Sequence, residues 1–217
     1  CGARQDQIRR WRATQDWEWS WASGAGRGSL DAVFCTELHV ESGEALGQSI
    51  LQCLFDATKC HEHLIIQDIV HRAVGEGFPG FILRVACYQY AAPRSVLMKN
   101  AISNWVVSTG GGVAGCPCIN ALLQCVFAPG IRRQLIAVPG VIPRVVVDDT
   151  HILVAGDRPW VLATAPSVFG TWKYEMNQFG YVNEDKLFAL SKGGSLRQKL
   201  KRLLRPLGVR TTVSVRD

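Results

Sequence analysis

No run of about 18 consecutive apolar residues occurs in the chain, so neither a membrane-spanning segment nor a membrane partner is expected. None of the eight cysteines forms a Cys-x-x-Cys pair. The one zinc-like cluster, Cys60-His61-Glu62-His63, lacks a second pair at suitable distance, which argues against structural zinc. Most of the thiols lie in apolar surroundings, the pattern of reduced cysteines in an intracellular protein of the cytoplasm or nucleus. The Gly-rich strand-to-helix phosphate turn of dinucleotide-binding folds is missing, as are internal repeats and low-complexity stretches. The chain opens Cys-Gly-Ala-Arg with no charged-then-apolar leader, and so reads as a piece of a longer polypeptide.

What is present suits one sizeable domain with two lobes: 217 residues, 47% of them hydrophobic. The net charge of +6 is unevenly placed. Residues 192–217 carry eight Lys/Arg against one Asp, whereas the other 191 carry 16 basic and 17 acidic side chains. A basic segment beside a nearly neutral body suits a protein that grips a polyanion at one place and reacts at another, although a solvated helix face reads the same way.

Alternation in Trp17-Glu18-Trp19-Ser20-Trp21 predicts a strand with one aromatic face, able to stack on bases or to pack on a neighbouring helix. Ser29 and Asp31 start a helix that Gly47 stops. Further helices are expected over about 61–74, 80–90, 117–127 (ended by Pro129-Gly130) and 160–178. Strands are expected at 50–55, 95–99, 103–108, 143–155 as a hairpin, and 186–190. Strands and helices alternating without a phosphate turn favour an α+β fold.

Asp148 and Asp149 end the apolar run Arg144-Val145-Val146-Val147 and precede Thr150-His151-Ile152-Leu153-Val154. On its own such a pair is a common strand-reversal turn. Two adjacent acids beside an apolar strand raise each other's pKa, and a divalent cation between them removes that cost. A second apolar run, Ile50 to Phe55, also ends in a carboxylate, Asp56. Two strands that deliver acid at one end can place three carboxylates on one sheet edge. Oxygen-only ligands point to Mg²⁺ or Mn²⁺, and paired metals serve phosphoryl transfer.

The order of these segments resembles the palm of reverse transcriptases. Phe55-Asp56-Ala57-Thr58-Lys59 is similar to their first palm motif, and Gly112-Val113-Ala114-Gly115-Cys116-Pro117 to the loop that opens a long helix. Val146-Val147-Asp148-Asp149-Thr150 resembles Tyr-x-Asp-Asp, and Gly180-Tyr181-Val182-Asn183-Glu184-Asp185-Lys186 the fourth motif with its lysine. Gly26-Arg27-Gly28-Ser29-Leu30-Asp31-Ala32-Val33 is similar to a fingers segment of the non-LTR retrotransposon (LINE-like) type. The ordered set covers roughly residues 24 to 190.

The resemblance implies a right-hand polymerase palm, an antiparallel sheet with helices packed on one face, plus a partial fingers subdomain. Partial fingers would occupy 1–48, the palm 49–191 with a fingers insertion at about 61–111, and a basic segment 192–217 would lead toward a thumb. The implied activity is RNA-directed DNA polymerase, extending a DNA primer on an RNA or DNA template with deoxynucleoside triphosphates. Asp56, Asp148 and Asp149, with the Ala57 backbone, would hold Mg²⁺ or Mn²⁺, and Lys186 would act as a general acid. Thr58 and Lys59 would meet the triphosphate. His61 would lie against the sugar, where the family has a bulky aromatic. Gly112, Ala114 and Gly115 would face the nascent base pair, Ala114 standing where the family has glutamine. Arg27 would touch template phosphate. Two alternatives stay open: a degenerate or domesticated, catalytically inactive domain that binds nucleic acid, and an RNA-templated RNA polymerase. No endonuclease, RNase H or zinc-knuckle segment is visible.

Overall fold

A computed structural model of the chain describes residues 4–21, 27–108, 110–113, 115–179 and 181–213. Helices α1 (Gln5–Ala13) and α2 (Ser29–Ala45) lead into strand β1 (Ser49–Phe55) and the two-residue β2 (Ala57–Thr58). A short α3 (Cys60–His63), then α4 (Ile66–Gly75) and α5 (Gly80–Ala91), precede a small hairpin of β3 (Leu97–Met98) and β4 (Ala101–Ile102). Helix α6 (Ile119–Ile131) widens into a π-helical turn over Arg132–Ile136, followed by the hairpin β5 (Val141–Val146) and β6 (Asp149–Gly156). Then come α7 (Arg158–Phe179), β7 (Tyr181–Val182), a 3-10 turn at Glu184–Lys186, β8 (Phe188–Ser191), α8 (Gly194–Leu204) and β9 (Arg210–Val213).

The chain forms two compact units, Cys1–Asp16 with Lys59–Val126, and Trp17–Thr58 with Phe127–Asp217. The second is built on a five-stranded sheet of order β5-β6-β1-β8-β9, antiparallel except for the β8–β9 pair. Side chains alternate across a strand, so β1 has two distinct faces. Leu51, Cys53 and Phe55 are buried on one of them, where the Phe55 ring lies 4.9 Å from Phe169 of α7. Gln52 and Leu54 point to the other, beneath α2. Helix α8 packs on α7, with Leu196, Leu200 and Leu204 buried. The expectation of helices on one face therefore needs correction: α7 and α8 cover one side, and α2 lies on the other. The basic residues after 191 contribute α8 and β9 to this same unit.

In the first unit, Trp11 anchors α1 by donating its Nε1–H to the Glu76 carbonyl at 3.0 Å and by an edge-on contact with Phe78 at 4.7 Å. Helices α4 and α5 bury Ile69, Ala73, Ile82, Leu83, Ala86 and Tyr90. Burial, then the neighbouring Cys116, raises the Tyr90 pKa; burial, then Cys116, pushes Cys118 up to about 11. A buried thiol with a raised pKa, as at Cys118, suits a structural role.

Several elements differ from their sequence expectation. The single helix over 61–74 is split at Leu64, which turns extended so that its carbonyl accepts the Gly111 amide at 2.7 Å. Pro129-Gly130 does not end α6. Ala128, Ile131 and Leu135 have no exposed surface, and the burial of this stretch outweighs one lost backbone bond. Arg133 caps the Pro129 carbonyl through its Nε at 3.2 Å. The strand at 95–99 shrinks to Leu97–Met98 and pairs with Ala101–Ile102; the expected 103–108 is not a strand, only Val106 bridging to Arg94. Trp17 to Trp21 is not a strand: only Ser20 bridges to Val145, and the Trp17 and Trp19 rings, 5.5 Å apart, are 1% and 3% exposed. The rings of Trp17 and Trp19 are therefore not open to bases.

Candidate functional site

Register fixes the site. β1 pairs with β6 so that Phe55 lies opposite Thr150, which brings Asp56, the next residue, level with Asp149. The β5–β6 hairpin closes with Val146 opposite Asp149, leaving Val147 and Asp148 as a two-residue turn. Val147 sits at φ 59°, an unfavourable left-handed conformation for a β-branched residue. Three carboxylates from two segments nearly a hundred residues apart thus meet at one end of the sheet.

Their electrostatics show the crowding. The Asp149 pKa is raised, first by burial and then by the charges of Asp148 and Asp56, with a carboxyl–carboxyl hydrogen bond to Asp56 adding to it; Lys186 pulls the other way. The Lys186 ammonium lies 3.2 Å from Asp56 Oδ2, and Asn183 donates its Nδ2–H to the same oxygen at 3.2 Å. The Asn183 amide also donates to the Asp56 carbonyl at 2.9 Å. Lys186 belongs to the 3-10 turn that Asn183 caps, rather than to the strand expected at 186–190. The oxygen-only donor set suits a hard divalent cation, which would relieve the crowding that raises the Asp149 pKa. Among the described residues, though, no three acidic, histidine or cysteine side chains are gathered into a closed ligand set, and the Lys186 ammonium is already paired with Asp56.

Beside the acids, a cleft of about 580 Å³ runs beneath α2, with Val33, Leu54, Val146 and Phe188 among its walls. His151 and Arg144 line it. His151 Nε2 lies 3.2 Å from Gln52 Oε1, and burial, then the Arg144 charge, lowers its pKa to about 4. Arg144 is 3% exposed, donates to the Cys35 carbonyl at 3.3 Å and has its own pKa lowered by burial. Sequence reasoning missed Asn183, Arg144 and His151. Arg144 carried a signal, a charge inside an apolar strand, and Asn183 another, an Asn cap three residues before the lysine.

The remaining expected site residues are placed as follows. In the second unit, Ala57 is buried opposite Val182 and Thr58 pairs with Tyr181. Arg27 donates to the Trp17 carbonyl at 3.0 Å and stacks over the Trp21 ring at 5.6 Å. In the first unit, Lys59 is exposed at φ 48° ahead of α3. His61 is partly buried, its Nε2 is without a hydrogen-bond partner, and its carbonyl accepts the Gly112 amide at 2.5 Å. A Cβ on Gly112 would stand 2.1 Å from Ile119 Cδ1, and Gly115 has φ 81°. Ala114 and Gly180 lie outside the described residues.

An α+β sheet that gathers carboxylates from β1 and a following hairpin, backed by α7, defines a polymerase-like fold. Solved structures of telomerase, a reverse-transcriptase-related enzyme, share it. The Candida tropicalis enzyme in complex with the TWJ fragment of telomeric RNA matches at TM-score 0.65 and 11% identity over 89% of this chain and 33% of that one. Apo Candida tropicalis telomerase truncated from its C-terminal domain matches at 0.66 and 13%, over 89% and 40%. Candida albicans telomerase with the TWJ fragment matches at 0.60 and 12%, over 88% and 35%. At such identities the likeness establishes a reverse-transcriptase-like fold, and the chain spans only a third to two fifths of those chains. No protein-family model and no curated protein sequence matches the chain.

Proposed function

We propose that the chain is the fingers–palm portion of an RNA-directed DNA polymerase of the non-LTR retrotransposon type that its ordered motifs resemble. The observation that carries this reading is the meeting of Asp56, Asp148 and Asp149 at one end of a reverse-transcriptase-like sheet. The three carboxylates, with the Ala57 backbone, would hold Mg²⁺ or Mn²⁺. When bound, such ions acidify the primer 3′-hydroxyl, polarise the α-phosphate and steady the departing pyrophosphate. Lys186, held at Asp56 by an ion pair, is the nearby proton donor for that pyrophosphate. Thr58, Lys59 and His61 take roles toward the incoming nucleotide, the Gly112–Gly115 loop toward the base pair, and Arg27 toward template phosphate.

A second reading is favoured by one observation: Asp56 is already neutralised by Lys186, and no closed three-donor set exists among the described residues. On it, the domain binds nucleic acid without extending it. The deciding experiment is Mg²⁺- and Mn²⁺-dependent extension of a DNA primer on RNA and DNA templates, comparing the chain with Asp148→Ala. Extension that vanishes in the variant supports the polymerase. Retained template binding with no extension by either protein supports the second reading.

A further inference from the structure

Helix α8 carries Arg197, Lys199, Lys201 and Arg202, and the turn after it Arg205. Among the described residues none of these five side chains pairs with a carboxylate or makes a hydrogen bond. The contrast with their neighbours is sharp: Lys192 pairs with Glu44 at 3.1 Å and Arg210 with Asp185 at 2.6 Å. The orientation of the cations is fixed by packing. Leu196, Leu200 and Leu204 are 5%, 1% and 0% exposed, so the opposite side of the helix faces solvent. Arg197, Lys201 and Arg205 recur every four residues and form one stripe about 12 Å long, set about 100° round the helix from the leucines, with Arg202 nearer the solvent side; Arg197 is part-buried, and Lys201, Arg202 and Arg205 are exposed.

The stripe is not part of the carboxylate cleft. Helix α8 packs on α7, which covers the Phe55 face of the sheet, whereas the cleft opens on the Gln52 and Leu54 face beneath α2. We infer that α8 is a second nucleic-acid-binding surface, which holds the phosphate backbone of a duplex on the side of the palm away from the acids. The inference rests on the nucleic-acid-handling reading of the palm and goes beyond it by assigning a separate site. Duplex nucleic acid carries roughly one charge per 1.7 Å of axis, so a 12 Å stripe meets enough phosphates for each of its cations. A lipid surface fits poorly, because the leucines of α8 are turned inward and only Leu203 is part exposed, at 42%.

The test is fluorescence anisotropy of a labelled RNA duplex with the whole chain, its affinity followed from about 50 to about 200 mM salt. The triple variant Arg197→Gln/Lys201→Gln/Arg205→Gln removes two exposed charges and one part-buried one, and circular dichroism checks its fold. Each lost phosphate contact lowers the slope of log affinity against log salt by about 0.9, so the variant's slope falls by roughly 2–3 and its affinity tenfold or more. Lys192→Gln, whose cation is already paired, changes the slope by less. A triple variant with the wild-type slope overturns the inference, as does an unaltered slope accompanied by loss of binding to phosphatidylserine vesicles. Primer extension on the same proteins reports on the polymerase separately: Asp148→Ala abolishes extension and leaves the salt slope in place, so either reading can fail alone.

Discussion

Replacing Lys186 by glutamine removes the ammonium 3.2 Å from Asp56 Oδ2 while keeping a polar side chain of similar reach. Two unit charges at that separation attract by about 1.3 kcal/mol in a water-like dielectric and by about four times that at an effective value near 20. The Lys186 side chain is 59% exposed and that of Asp56 20%, so solvent screening sets the smaller figure, about 1 kcal/mol. A divalent cation arriving at Asp56 has to displace this ammonium. Lys186→Gln therefore tightens Mn²⁺ binding by about fivefold, 1.4 kcal/mol being tenfold. Titration of Mn²⁺ into both proteins, followed by the electron paramagnetic resonance signal of the free ion, measures this directly. An unchanged or weaker affinity refutes the idea that lysine and metal compete for one oxygen. Proton donation is read separately: a donor's loss slows extension by roughly 10²–10⁴, even as the metal binds more tightly.

Asp149→Asn raises Tm at neutral pH and abolishes extension. The folded-state pKa of Asp149 lies above its ordinary value through burial and then Asp148 and Asp56, so the folded chain holds that proton more tightly than the unfolded one. This stabilisation is complete at acid pH and is lost as pH rises through the raised value, which makes the ionised side chain a cost at neutrality. Thermal melts check the sign: a Tm gain that fails to shrink on acidification contradicts it. Gly112→Ala places a Cβ 2.1 Å from Ile119 Cδ1 and costs about 1–3 kcal/mol in urea unfolding. Ile119→Val removes that methyl and recovers part of the loss; simple additivity of the two changes rules the clash out.

The carboxylate end of the sheet was legible because strand patterns are local. Two apolar runs, each ending in acid, leave few ways to pair, and the register Phe55 to Thr150 follows once both are strands. The reverse-transcriptase-like fold agrees with the resemblance of the ordered motifs to the palm of reverse transcriptases. What escaped was tertiary. Pro129-Gly130 carries the signature of a helix stop, yet complete burial of Ala128, Ile131 and Leu135 carries the helix through it. Alternating tryptophans read as a strand, but Trp17 and Trp19 are core residues on an irregular segment. Arg144 sits in a run that looked uniformly apolar apart from its charge, and only the packing of α2 over the sheet encloses its guanidinium. The contact of Gly112 with Ile119, close enough that a Cβ would collide, had no signal in the sequence either.

The turn at Val147 acts as a counting device. With two residues between Val146 and Asp149 and the first forced to φ 59°, the hairpin has no slack to absorb an added or deleted residue. Strand side chains alternate faces, so a slip of one position turns Asp149 toward the α7 side of the sheet and puts the Thr150 side chain in its place. Point changes along β6 alter one side chain at a time, whereas a change of length at its tip exchanges the two faces together. The strained valine thus sets the parity of the strand, and with it which side of the sheet can hold an acid.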